Sequence, residues 1–432
     1  MYLVKKRIPN LLAALVISSC MFILETNAHA IPAFARREKV SCTMCHTNGS
    51  APHLTKFGYM YRRAAFRLPD NIGNREADDK AMLTTDHLSA GVNFDYEVVT
   101  NKPAGQNRAI LTSNHFNVPE VEVWPVVGSF LGNFGSWSEI DANPASTAGA
   151  GGVSVSQADV RYVRGTGDFF FNFRGGLMPA EGYGASDQWI DDANIPLFDR
   201  LPAQFNENTL TLPFGAMETP QYGAEFGLNR FDSHLTFGIY NGFDGSNTKG
   251  ATTPAQSTLT AALMNPVVKG AKDYKVQFDQ FAGEHFAFTA AYYTGVIPLL
   301  DPGNTTLWIN HYSNWRLYTT FLALPNLLDI LAGVAYGKYD YSNTGNVVNG
   351  QFNNRGAFLG ANYYVMPHLT LSGRLDFYQY NYGTSAPLKA QGFGLLASVP
   401  FDNAMFVFHY NNTGSDVDGL TNDFRAEWRF LF

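Results

Sequence analysis

From about residue 87 onward, apolar and polar positions alternate with a period of two, the pattern of strands whose two faces meet different surroundings. At the C-terminal end Phe424, Ala426, Trp428, Phe430 and Phe432 share one face, and Asp423, Arg425, Glu427 and Arg429 the other. Leu369, Leu371, Gly373, Leu375 and Phe377 alternate with Thr370, Ser372, Arg374 and Asp376, and Phe169, Phe171 and Phe173 with Phe170, Asn172 and Arg174. In a soluble sandwich the apolar face would be core. Here the opposite face repeatedly carries charge, as a water-filled lumen permits.

The interruptions alternate between tight and long. Tight ones fall near Gly132-Asn133, Thr166-Gly167, Arg230-Phe231-Asp232, Ala282-Gly283, Pro325-Asn326, Met366-Pro367 and Asp402-Asn403. Long ones fall near 100–118, 143–152, 179–218, 242–271, 296–312, 340–354, 381–388 and 413–420. Seven tight turns and eight long loops connect sixteen strands. The pattern predicts an all-β transmembrane fold, an antiparallel outer-membrane β-barrel of about 16 strands over 87–432, with short periplasmic turns and both barrel ends on the periplasmic side. An alternating strand closes the chain at Phe432, an aromatic end that resembles the assembly signal of bacterial outer-membrane barrels.

Composition agrees: 14% aromatic residues with 16% charge and a mean hydropathy of −0.14. No apolar stretch after residue 30 is long enough for a membrane helix. Residues 1–30 have the form of a secretory signal, with Lys5, Lys6 and Arg7 before the apolar run Leu11 to Leu24 and a small-x-small site at Ala28-His29-Ala30. Ile17-Ser18-Ser19-Cys20 also resembles a lipoprotein box, but the apolar run continues past it. Cleavage after Ala30 leaves Cys42 and Cys45 as the remaining cysteines, so no disulfide framework is expected. It also takes the net charge from −7 to −9, which argues against a nucleic-acid partner.

Cys42-Thr43-Met44-Cys45-His46 is a C-x-x-C-H pentad, the spacing at which two thiols add to the vinyl groups of a haem and the adjacent imidazole ligates its iron. A zinc site would need four ligands, and the exported chain offers no second cysteine pair. A thioredoxin-like dithiol would need a βαβ context. The pentad therefore predicts one covalent haem c on Cys42 and Cys45, with His46 as proximal ligand. It lies in a segment over 31–75, joined to the barrel by a linker over 76–86. A short helix is expected in the last part of the run from Pro52 to Phe66, with Leu54, Phe57, Tyr61 and Ala65 on one face. About 45 residues bury little core, so the segment needs the haem, the barrel or a partner to cover it. For the distal ligand His53 and Met60 are the near candidates, with Met82 and His87 further off; a methionine would raise the potential.

Pro32, Phe34, Ala35, Arg36, Cys42, Cys45, His46, Pro52, Leu54, Phe57 and Gly58, followed by a porin-length barrel, resemble the outer-membrane cytochrome-porin fusions, known as iron oxidases of iron-oxidising bacteria. Ala65-Phe66 stands where that family's Gly-Tyr would end the helix, and this departure bears on the electron donor. The resemblance implies activity of the iron:cytochrome c oxidoreductase type. An extracellular donor, Fe(II), would reduce the haem, and a periplasmic c-type cytochrome would accept the electron. It also implies a haem segment either plugging the lumen or hanging below it.

The loop over 179–218 carries Glu181, Asp187, Asp191, Asp192, Asp199 and Glu207 against Arg200. Such carboxylates attract divalent cations, and Asp187, Asp191 and Asp192 are candidates for concentrating Fe(II); an ordinary solvated acidic loop is the alternative. Arg174, Arg374, Arg425 and Arg429 fall on the lumen face and could meet haem propionates, or pair with wall carboxylates such as Asp376 and Glu427. The competing functions are a passive porin, electron export to an external acceptor, and a haem peroxidase, which would need an open distal pocket.

Overall fold

The computed structural model of the chain describes residues 32–47, 54–68, 72, 87–130, 132–143, 152–180, 220–241, 272–283, 285–300, 307–324, 327–343, 350–366, 369–382, 387–401, 404–416 and 419–431. Three short helices come first: α1 (Pro32–Glu38), α2 (Cys42–Cys45) and α3 (Lys56–Arg63). The strands are β1 (Ser89–Lys102), β2 (Ile110–Trp124), β3 (Val127–Phe130), β4 (Phe134–Asn143), β5 (Gly152–Gly165), β6 (Phe169–Pro179), β7 (Pro220–Arg230), β8 (Ser233–Tyr240) and β9 (Asp273–Ala282). They continue with β10 (Phe286–Leu300), β11 (Leu307–Leu324), β12 (Leu328–Asn343), β13 (Gly350–Met366), β14 (Leu369–Tyr382), β15 (Leu388–Phe401), β16 (Ala404–Ser415) and β17 (Gly419–Leu431).

Apart from β2 and β3, each strand pairs antiparallel with its chain neighbours, and β1 closes on β17 from Gly91↔Leu431 to Lys102↔Leu420. β2 and β3 both pair with β4, through Val121–Val123 and Val127–Phe130 respectively. They are one wall strand broken at Pro125, which has no N–H to give to a ladder; Ser138 bridges the break through hydrogen bonds with Val126. The wall is thus a closed barrel of sixteen strands. Among the described residues no helix is long and apolar enough to cross a membrane. The strands are the crossing elements.

Burial is inverted relative to a soluble protein. On β14 Leu371 and Leu375 are 42% and 63% exposed, while Arg374 and Asp376 are 5% and 7% exposed. Trp428 and Phe430 point outward on β17 and Glu427 inward. An apolar exterior around a polar interior suits a wall standing in lipid, and the barrel is an outer-membrane one. Leu375→Arg should therefore lower stability in lipid bilayers by about 2–4 kcal/mol, measured by denaturant unfolding. No loss would mean that this face does not meet lipid.

All seven tight turns lie where the alternation puts them. The long loops are mostly shorter than the sequence suggests. β10 and β11 run on to Leu300 and from Leu307, and β1 and β2 to Lys102 and from Ile110, so the expected loops at 296–312 and 100–118 lose residues to strand. Beyond the bilayer both faces of a strand meet water, so the apolar alternation fades while the backbone ladder continues. The regions 1–30 and 76–86 lie outside the described residues.

Candidate functional site

α2 holds the first four residues of the pentad and is pinned to α3 through backbone contacts. Cys45 O accepts from Thr55 N at 2.9 Å, and Met44 O from the Thr55 hydroxyl at 2.7 Å. His46 and Leu54 form an antiparallel bridge. Thr55 is also the N-cap of α3, accepting from Gly58 N at 3.1 Å, so one side chain caps the helix and holds the pentad. Gly58 makes this approach possible: a Cβ there would lie 2.1 Å from Cys45 O. Cys45 and His46 are half-buried beside it, and Met44 is exposed. The arrangement fixes the backbone of Cys45 and His46, as residues that would hold a haem c require, and His46 Nδ1 is buried there.

The rest of the segment sits against the inner wall at the short-turn end. Tyr59 donates its hydroxyl to Asp279 at 2.8 Å and packs its ring on Phe281 and His234. Burial, reinforced by Asp279, raises the Tyr59 phenol well above its ordinary range, so it stays a donor. Lys56 pairs with Asp232 in the β7–β8 turn at 2.7 Å. The last carbonyls of α3 would otherwise lack partners. Asn172 donates to Arg63 O at 2.9 Å and Arg161 to Arg62 O at 3.4 Å.

Past α3 the chain turns through Ala65 and Phe66, both left-handed at φ 55° and 59°. Ala65 occupies the place where glycine is usual after a helix. Helix α3 therefore ends at Arg63, earlier than the sequence suggests, and Leu54 belongs to the bridge with His46. Phe66 stacks on Phe34 with ring centres 4.9 Å apart, and both rings meet Trp137 of β4. Arg67, 2% exposed, donates to Phe134 O at 2.7 Å and Phe130 O at 3.2 Å. Burial pushes its guanidinium down to about 10, which leaves it charged at neutral pH. Arg37 bonds Ser129 and approaches His87, which is buried against Ser129 O. Glu38 accepts from Tyr61, and burial raises its carboxyl despite the pull of Arg37.

Met60 is buried in the cluster that includes Val163, Phe170, Phe281 and Ala287 of the wall. It follows Gly58 by two residues, about 200° around a helix, so it faces away from Cys45. His87 is committed to Ser129 and Arg37. His53, Met82, Asp187, Asp191 and Asp192 lie outside the described residues, as does the side chain of Cys42. The four arginines expected on the lumen face find wall carboxylates: Arg374 with Asp376 and Arg429 with Glu427, each at 2.8 Å, Arg425 with Glu97 at 2.8 Å, and Arg174 with Asp159 at 3.1 Å.

Sequence reasoning missed Arg62, Arg63, Arg67, Arg161 and Trp137. The signal for the first two was an Arg-Arg pair ending an apolar helix in an acidic chain. It also missed Glu120, Glu122 and Asp141, whose carboxylates lie within 4.8 Å of one another on β2 and β4.

No family model matches the chain, and no curated protein does. Among solved structures, the anion-selective porin from Comamonas acidovorans is similar at 11% identity over 80% of this chain and 98% of that one, with a TM-score of 0.52. The outer membrane channel DcaP of Acinetobacter baumannii has 11% identity over 80% and 96%, with a TM-score of 0.49. OmpT of Vibrio cholerae has 11% identity over 82% and 100%, with a TM-score of 0.47. At such identity the first of these speaks for the fold alone, and it agrees with the wall geometry: the chain folds as a porin-like outer-membrane β-barrel.

Proposed function

We propose that the protein is an outer-membrane electron-transfer protein carrying one covalent haem c on Cys42 and Cys45, with His46 as axial ligand. It takes electrons from an extracellular donor, Fe(II), and delivers them to a periplasmic c-type cytochrome. The observation that supports this is the pinning of the pentad to α3 by Thr55 and Gly58, in a segment seated against the short-turn end of the barrel. When bound, the haem supplies reversible one-electron chemistry at its iron.

The chain's own residues fix the pentad backbone through Thr55 and dock the segment on the wall through Tyr59, Arg67 and Lys56. That placement answers a physical need, because an electron does not cross a lipid layer usefully without a redox centre inside a shelter. His53 remains the near candidate for the distal ligand, because Met60 faces the wall. Asp187, Asp191 and Asp192 are proposed to concentrate Fe(II) near the outer mouth.

A second reading, passive solute passage, draws on the porin-like fold. Haem staining after denaturation separates the two, since only a thioether-linked haem survives it. The protein, produced with the cytochrome maturation machinery, should stain, and its variant carrying both Cys42→Ser and Cys45→Ser should not. Fe(II) in stopped-flow mixing should then shift its absorbance to that of a reduced haem. A colourless protein that conducts ions would leave the passive porin. A stained protein that Fe(II) does not reduce, but a periplasmic cytochrome does, would reverse the direction to electron export.

A further inference from the structure

On the outward face of the wall one row of cross-strand partners runs through Tyr292, Trp315, Tyr336, Arg355, Gln379 and Lys389, one residue from each of β10 to β15. Trp315 and Tyr336 are 55% and 45% exposed, and Arg355 and Lys389 are exposed as well. Between this row and the short turn, the outward positions of β13 are Ala357, Leu359, Ala361, Tyr363 and Val365. Arg355 and Val365 are ten residues apart, about 25 Å along the membrane normal at the usual strand rise and tilt. That is the height of the apolar band of an outer-membrane barrel. Arg355 and Lys389 therefore stand at its upper rim, on the long-loop side, level with rings of the kind that mark the boundary between lipid and water.

Arg355 donates from Nε and Nη2 to Gln379 Oε1 at 3.1 and 2.6 Å, so a neutral partner holds its guanidinium. Lys338, one outward position above the row, pairs with Asp340 at 2.9 Å. Asp416 accepts from the backbone N–H of Lys389 at 3.1 Å. Among the described residues the side chains of Arg355 and Lys389 have no carboxylate partner. The loops over 344–349 and 383–387, which join β12 to β13 and β14 to β15, carry no Asp or Glu.

We propose that this rim binds a phosphate-bearing lipid of the outer leaflet, with Arg355 and Lys389 holding its headgroup and its acyl chains lying along the apolar face beneath. Two features favour a lipid over a free anion. A guanidinium on the membrane side of the wall is costly beside hydrocarbon and favourable beside a phosphate, whose oxygens match its fork. Directly below the row Leu359, Leu375, Phe393 and Leu395 are 55%, 63%, 37% and 54% exposed and continue the same face. Arg355 and Lys389 lie two strands apart, about 10 Å between backbones, a gap that their long side chains close around one headgroup. The site is independent of the haem.

The test uses the full-length protein in detergent micelles at fixed ionic strength. Bisphosphorylated lipid A, the same lipid stripped of its phosphates, and inorganic phosphate are added separately, with retention in native mass spectrometry and thermal unfolding as readouts. Saturable retention of lipid A is expected, with higher thermal stability at saturation. Arg355→Gln and Lys389→Gln should each weaken it about tenfold, the loss of one charge-assisted hydrogen bond. Arg230→Gln, at an exposed position beside the short β7–β8 turn, should leave it unchanged. The two rim side chains point away from the barrel, so both variants keep the strand ladder and retention is read on a folded wall. Equal retention of the stripped lipid would show that acyl chains alone are held, and equal stabilisation by inorganic phosphate would make this a free-anion site. Either result, no retention of lipid A, or equal affinity in the rim variants and the parent overturns the proposal.

Discussion

Replacing Gly135 by leucine should release the N-terminal segment from the wall. A Cβ at Gly135 would lie 2.4 Å from Ala65 O and 3.3 Å from Ala65 Cβ. The nearest atom is backbone, on a chain turn that already holds two left-handed residues, so it cannot swing aside as a side-chain tip would. Moving that turn breaks the Arg67 bonds to Phe130 O and Phe134 O and separates Phe66 and Phe34 from Trp137. Overpacking costs about 1–3 kcal/mol, and stranding the Arg67 guanidinium costs at least another 1–3 kcal/mol. Together these changes take away the contacts that hold the segment on the β3–β4 side of the wall. The barrel does not depend on the segment for its ladder, so its resistance to unfolding in detergent should persist. Ion conductance in planar bilayers should rise several-fold, and protease should cut the segment. Unchanged conductance together with an unchanged digestion pattern would show that Gly135 does not set the joint.

The second large effect is expected at Gly58. Its Cβ would meet Cys45 O at 2.1 Å and the Cys45 carbonyl carbon at 2.9 Å. Gly58→Val forces the pentad off α3, breaking the Thr55 N bond to Cys45 O and the bridge between His46 and Leu54. If the proposed function holds, covalent haem per polypeptide should fall steeply, and whatever haem remains should show an altered axial-ligand spectrum. Gly152→Ala is the control, since a Cβ there meets nothing within 4 Å. Equal haem content and identical spectra in Gly58→Val and the parent would mean that the contact with α3 plays no part in holding the pentad.

The barrel was legible in the sequence because its signal is local. Period-two alternation puts Leu371, Leu375 and Phe430 outside and Arg374, Asp376 and Glu427 inside, and each tight turn sits between two such runs. The partners of Arg374 and Arg429 were legible for the same reason, being two residues away on the same face. Other features depend on residues far apart in the chain. Tyr59 meets Asp279 across 220 residues, and Arg63 meets Thr236 across 173. No periodicity within the N-terminal segment announces which wall residue waits for it. Met60 shows the limit at short range. Its distance in sequence from the pentad suits an iron ligand, yet one turn of helix directs it to Val163 and Phe170 of the wall. Gly58 was legible as part of a Phe-Gly pair, but its physical role depends on the approach of Cys45 from another element.

The seam between β1 and β17 joins the two ends of the barrel, and the segment's partners are spread from Ser129 to Asp279 around the inside. The N-terminal segment therefore has no complete seat until strands β3 to β9, all later in the chain, stand side by side.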